Sequence, residues 1–191
     1  MQRVLLSVMI AVFLLAACSG KENAPPPPPD ARGLPGKRAE EVELLFAKAH
    51  VFWKGDTCTE PQEAVQILSE AIAKDPDFAA AWAFRGLAHS ELGKREEAFA
   101  DLTKAIRLDP RAEYYTDRGL ASLRGGVFSA ARRDLDYALK KDPRQYRAWN
   151  ILGETALREG KAEQACAYYA KGCSNGNCEP LQQARSNGQC K

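Results

Sequence analysis

Small and apolar positions recur along this chain with one long period, and polar residues fill the intervals. Trp82, Tyr115 and Trp149 stand 33 and 34 residues apart, and so do Gly86, Gly119 and Gly153. Ala64, Ala98, Ala131 and Ala165 form a third column, and Ala71, Ala105 and Ala138 a fourth. The fifth is Pro76, Pro110 and Pro143, each preceded by Asp. Within a period the apolar residues return at helical spacing, broken once and then closed by Asp-Pro, which predicts two antiparallel helices per period. In the second period, helix A is expected from Phe78 to Leu92 with Asp77 as N-cap, and Gly93 marks the turn. Helix B then runs from Glu96 to Leu108, and Asp109-Pro110 stops it because proline cannot continue the ladder. Gly86 is expected to lie against helix B of its own hairpin, with Ala98 and Ala105 on the opposing stripe keeping the helices close. Trp82 and its counterparts are expected to fill the seams.

Aromatic, Gly, Ala, Ala and Pro in that order, at a period of about 34, resemble the tetratricopeptide repeat (TPR) family. The resemblance covers about residues 40–178. AWAFRGLAHSELGKREEAFADLTKAIRLDP and YYTDRGLASLRGGVFSAARRDLDYALKKDP match well. The last repeat keeps its front half, then has Gly172 in the second Ala column and Asn177 where Pro is expected. The first has Ala64, Leu68, Ala71 and Pro76 but no aromatic–Gly pair, and Gly55 to Pro61 reads as a lengthened turn after an apolar helix from Glu40 to Lys54. The resemblance implies an all-α fold: a right-handed superhelix (α-solenoid) of about four helix-turn-helix repeats plus a C-terminal capping helix. The repeats are placed at about 40–78, 79–111, 112–145 and 146–177, within a domain at 39–177, and the cap at 178–191.

Residues 1–17 read as a leader rather than as fold: Arg3 precedes an apolar stretch from Val4 to Ala17 that is short for a membrane span. Leu15-Ala16-Ala17-Cys18 resembles the lipobox of bacterial lipoproteins, which implies cleavage before Cys18 and its acylation. Ser19 after the cysteine implies sorting to the outer membrane, facing the periplasm. Residues 18–38 include Pro25 to Pro29 unbroken, which predicts a semi-rigid polyproline spacer between lipid and domain.

Charge adds little. Lys and Arg total 27 against 25 Asp and Glu, and the mixed-sign runs Lys94-Arg95-Glu96-Glu97 and Arg132-Arg133-Asp134 predict solvated helix faces, not a nucleic-acid footprint. The cysteines are more informative. Cys166 and Cys173 lie seven apart on a predicted helix, roughly 10 Å by its rise, too far to bond each other. A short helix from Cys178 running back antiparallel would place Cys178 by Cys173 and Cys190 by Cys166, so disulfides Cys173–Cys178 and Cys166–Cys190 are expected in an oxidising compartment. AYYAKGCSNGNC also resembles the cysteine-rich Sel1-like repeats. Zinc is the alternative, against which stand the absence of C-x2-C spacing and of a nearby His. Cys58 is left over, a free buried thiol or an intermolecular link.

The chain has no G-x-S-x-G, P-loop or H-E-x-x-H, and His50 and His89 read as helix-surface or seam residues. No catalytic residue, metal, cofactor or small-molecule substrate is expected. The TPR resemblance implies that function lies on a concave face lined by helix A residues. Those are Ala80, Ala83, Leu87 and Ser90, then Glu113, Thr116, Leu120 and Leu123, then Arg147, Asn150, Glu154 and Leu157. Carboxylate-clamp TPR domains need Lys and Asn where Ala83 and Leu87 stand, so that clamp is not expected. The implied role is a non-enzymatic scaffold, anchored by lipid, that holds an envelope protein or peptide segment during assembly of a complex. A self-associating structural lipoprotein is the alternative.

Overall fold

The computed structural model describes residues 38–191, so the expected leader, Cys18 and the Pro-rich spacer lie outside the described residues. Helices occupy Arg38–His50 (α1), Pro61–Lys74 (α2), Ala79–Glu91 (α3), Arg95–Leu108 (α4), Ala112–Arg124 (α5), Phe128–Lys141 (α6), Tyr146–Arg158 (α7), Ala162–Ser174 (α8) and Glu179–Ser186 (α9). Between α1 and α2, Trp53–Lys54 (β1) and Thr57–Cys58 (β2) pair antiparallel. The architecture is an all-α solenoid. Each helix packs on the next, and α5 also touches both α3 and α7, forming the inner row of the stack.

The glycine column sets how closely the helices of a hairpin approach. A Cβ on Gly86 would stand 2.8 Å from Leu102 Cγ and 3.0 Å from the Ala98 carbonyl oxygen, and one on Gly119 would stand 2.8 Å from Leu135 Cγ. Leu68, Leu102 and Leu135 are fully buried, as are Ala64, Ala105, Ala131, Ala138 and Ala165. In the last hairpin Tyr169 takes the leucine position and lies against Gly153. Gly172 departs from the alanine column because the Asn150 side-chain oxygen occupies the space a Cβ would need.

The aromatic and proline columns are one device. Trp82 Nε1 donates to the Pro76 carbonyl at 2.9 Å, and Trp149 Nε1 donates to Pro143 at the same distance. Thus each tryptophan is partly exposed and ties its helix to the preceding turn, rather than only filling a seam. The Asp before each proline ends the helix in extended conformation, its N–H still donating to the alanine column: Asp75 to Ala71, Asp109 to Ala105, Asp142 to Ala138. Asp77 does not cap α3. Phe78 holds the N-cap position without a side-chain bond, and Asp75 Oδ1 ties the turn by accepting from the Asp77 N–H at 3.2 Å.

Some of the charges expected on solvated faces join the repeats. Arg85 donates to both oxygens of Asp101 at 2.7 and 2.8 Å and to Ser69 Oγ at 3.1 Å. One repeat on, Arg118 does the same with Asp134 and Thr103 Oγ1. Each arginine therefore links helix A to its own helix B and to the helix B before it. Arg132 pairs with Glu159 of the next repeat, and Arg95 donates to the Gly125 carbonyl.

Helix α1 stops at His50, four residues short of the expected Lys54. The run Val51-Phe52-Trp53 favours strand, and Gly55, at φ +60°, allows a two-residue loop with Asp56. Phe52 O accepts from Thr59 N at 2.8 Å, closing the hairpin base.

At the other end the structure holds disulfides Cys166–Cys190 and Cys173–Cys178. They fix α9 against α8, where Leu181, Ala184 and Cys190 bury with Ala165 and Tyr169.

Two stability outcomes follow from these contacts. Arg118→Ala leaves Asp134 nearly buried without its partner and should lower unfolding free energy by about 3 kcal/mol in urea titration. Replacing Cys166 and Cys190 by Ser should lower the local stability of α9 by about 3 kcal/mol in amide exchange, with α3 to α6 unchanged.

Candidate functional site

The β1–β2 hairpin folds onto the inner row of helices and fills its N-terminal part. Trp53 packs against the buried cluster that contains Leu87, Leu120 and Leu123. The Cys58 N–H points away from β1 and donates to Glu91 Oε1 on α3 at 3.3 Å. Arg124 at the end of α5 donates to the Asp56 carbonyl at 2.5 Å and pairs with Glu91 at 2.6 Å. Arg147 on α7 pairs with Asp56 through Nε and with Asp117 on α5 through Nη1 at 2.5 Å. Acidic and basic groups therefore alternate across three inner helices, in the order Glu91, Arg124, Asp56, Arg147, Asp117.

Burial tunes this chain of charges. Burial pulls the Arg147 guanidinium down, but Asp117 and Asp56 outweigh it and hold Arg147 above its ordinary value, firmly charged. Burial pushes the Asp117 carboxyl up, against the pull of Arg147. For Arg124, burial lowers the pKa and Glu91 restores part of it. Burial also pushes the Cys58 thiol up; Cys58 is a buried free cysteine.

The hairpin changes what the inner stripe offers. Ala83, Leu87, Thr116, Leu120 and Leu123, expected to line an open groove, are buried. Ala83 is buried in a cluster with Leu102, Ala105 and Tyr114, and the cluster under Trp53 takes in Leu87, Leu120 and Leu123. Thr116 spends its hydroxyl on the Ala112 carbonyl at 3.2 Å and on Gln145. Ala80, Ser90, Arg147, Asn150, Glu154 and Leu157 are partly exposed, and Glu113 is exposed. Arg147, expected as a free groove residue, is engaged by two carboxylates.

What stays open is a cleft of about 420 Å³ between the hairpin and the cap. Leu120, Leu123, Ile151 and Leu157 give it an apolar floor; Asp56 of the hairpin, Gln183 of α9 and Asn187 just after it also line it. Asn150 and Glu154 supply polar groups from α7, and Tyr169 also lines the cleft. The stripe residues Leu120, Leu123, Asn150, Glu154 and Leu157 thus meet in one place. Ala80, Ser90 and Glu113 do not join them. A second cleft, of about 520 Å³ and mainly apolar, lies on the turn side between α4, α5 and α6 beside Phe99 and Val127. Among the described residues no group of His, Cys, Asp and Glu could hold a metal ion, and no helix is long and apolar enough to cross a membrane.

Asp56, Asp117, Arg124 and Glu91 were not legible as site residues. The available signal was Gly55-Asp56 between an aromatic run and Thr57-Cys58, which is hairpin chemistry. Tyr169, in a leucine column, was a second.

Comparison with known proteins agrees with this architecture. Two family models described as tetratricopeptide repeat match residues 116–177 and 79–112. Human tetratricopeptide repeat protein 13 is 33% identical over 98 residues, and a rice (Oryza sativa subsp. japonica) SGT1 homolog 36% over 74 residues. The matched regions cover 51% and 38% of this chain but span only 11% and 20% of those proteins' lengths. Among solved structures, a thermophilic TPR protein of Thermus thermophilus superposes with TM-score 0.67 at 22% identity, covering 78% of this chain and 81% of that one. The second TPR domain of human RPAP3, solved with an HSP70 peptide, superposes with TM-score 0.54 at 25% identity, covering 62% and 97%.

Burial and Glu154 push the Tyr169 hydroxyl up to about 12 from an ordinary 10.0. The neutral phenol therefore contributes stability that is complete below pH 10.0 and is lost as pH rises through about 12. Urea titrations across that window should show a fall in stability that is smaller in Tyr169→Phe.

Proposed function

Because the chain belongs to the tetratricopeptide repeat family, we propose that it is a non-enzymatic scaffold whose inner cleft holds a segment of a partner protein. The single observation that carries this is the open cleft between hairpin and cap, where an apolar floor meets hydrogen-bonding groups from α7 and α9. A bound segment packs its apolar side chains on Leu157, over the floor that Leu120 and Leu123 close from beneath. Its backbone groups are met by Asn150, Gln183 and Asn187, which is how a short groove combines affinity with register. The RPAP3 domain with its HSP70 peptide supports the same mode of use.

The setting we propose is the bacterial envelope. Leu15-Ala16-Ala17-Cys18 supports acylation at Cys18, Ser19 supports outer-membrane sorting, and Pro25 to Pro29 support a spacer that lifts the repeats off the bilayer. The partner is then an envelope protein, and the work is assembly of a complex there, such as pilus, secretin, barrel or peptidoglycan machinery. A second reading, self-association through the first helix, is favoured by Leu44 on α1 and Val51 just after it, which are 69% and 72% exposed. Solution scattering that shows a monomer removes it.

A photo-crosslinking residue placed at Leu157 and, separately, at Gln183 in cells that produce the chain tests the cleft. Both positions should capture the same protein, and the exposed Tyr137 on α6 should not. Identical adducts from all three positions, or none from the cleft pair, would overturn the proposal.

A further inference from the structure

The hairpin tip sits where a ligand of the inner face would sit, and the chain supplies that ligand itself. We infer that Arg147 and Arg124 form a receptor site for an acidic side chain of the partner, which Asp56 of the chain's own hairpin occupies in its absence. The inference rests on the reading of the adjoining cleft as a protein-binding groove and says which chemistry the bound segment carries beside its apolar residues.

Three observations support it. First, each arginine is held from behind by a carboxylate of the inner helices: Asp117 on Arg147 and Glu91 on Arg124. Both guanidiniums are therefore charged and oriented without Asp56, as a receptor requires. Second, Asp56 fills the site incompletely. Its carboxylate reaches Arg147, but Arg124 receives only its backbone carbonyl, and Arg124 Nη1 is buried with no hydrogen-bond partner. A buried donor left unmet is costly, so a carboxylate that reaches both arginines is favoured over the resident one. Third, apart from its bonds to Arg124 and Arg147 the tip has little support of its own. The strands are two residues each, too short for independent stability, and Lys54, Gly55 and Thr57 are exposed, with open space around Gly55. Trp53 and Cys58 anchor the hairpin base in the core, so the tip can swing out while the base stays.

The cleft and the arginines adjoin, because Asp56 lines the cleft and bonds to both arginines. The partner segment is therefore apolar with one acidic residue at its end nearest α5. Competition with the tethered Asp56 lowers apparent affinity by the fraction of time the site is open, which suppresses capture of segments lacking a carboxylate.

The test uses the full chain and a blocked hexapeptide with one Asp between Leu residues, together with its Asn counterpart. Asp56→Ala should bind the Asp peptide about tenfold tighter than the unmodified chain, as removal of a resident competitor requires. The Asn peptide should show no such gain. Equal affinity of the two chains for the Asp peptide, or equal gains for the two peptides, overturns the inference. A readout on the unmodified chain covers the case in which Asp56→Ala lowers helix content: the Asp peptide at saturation should shift the Arg147 Nε–H resonance, and an unmoved resonance overturns the inference too. Failure here with crosslinking intact at Leu157 and Gln183 removes only the acidic site and leaves the cleft proposal standing.

Discussion

Everything in this molecule depends on the distance between the two helices of a hairpin, and that distance is set where a glycine has no side chain. Leu102 rests on Gly86, Leu135 on Gly119 and Tyr169 on Gly153, each closer than a Cβ would allow. Close approach buries the alanine columns completely and leaves little room for anything larger. With that spacing repeated, successive hairpins stack with the same offset, and the Arg85 and Arg118 forks can span three helices in equivalent ways. Loss of the spacing would lose the register of the inner row on which the cleft is built.

The repeating part of the fold was readable because it is local. Helix lengths, turns and the Asp-Pro stops follow from residues within one period, and the structure places α3 and α4 within a residue of the expected limits. The arginine forks were less readable, since Arg85 and Asp101 look like ordinary surface charges until the hairpin brings them together. Asp77 misled for a related reason: the residue before the helix had the right chemistry for a cap, but Asp75 had already closed the turn.

The site was readable only in part. Leu120, Leu123, Asn150, Glu154 and Leu157 lie at repeat-defined positions, and the structure gathers them in one cleft. What occupies the rest of the inner face is an insertion with no counterpart in the other repeats. Its contacts join residues 33, 68 and 91 positions apart, and none of those residues belongs to a repeated column. Gly55-Asp56 announced a turn. That the turn docks on Arg124 and Arg147 is a property of the assembled stack.

The Asp56–Arg147 contact also alters how the stack holds together. In a plain solenoid each repeat touches its neighbours alone, so stability is a sum of nearest-neighbour terms and either end can fray by itself. A bond across 91 residues ties the first repeat to the last one, and Arg124 ties it to the third along the way. The array becomes a braced span rather than a stack of tiles. Loosening one end is felt at the other, and the loop closed by that contact carries an ordering cost met only when the intervening repeats have formed. The brace therefore reports on the completeness of the whole array: the tip of the hairpin finds its seat only on an inner face already laid down from α3 to α7.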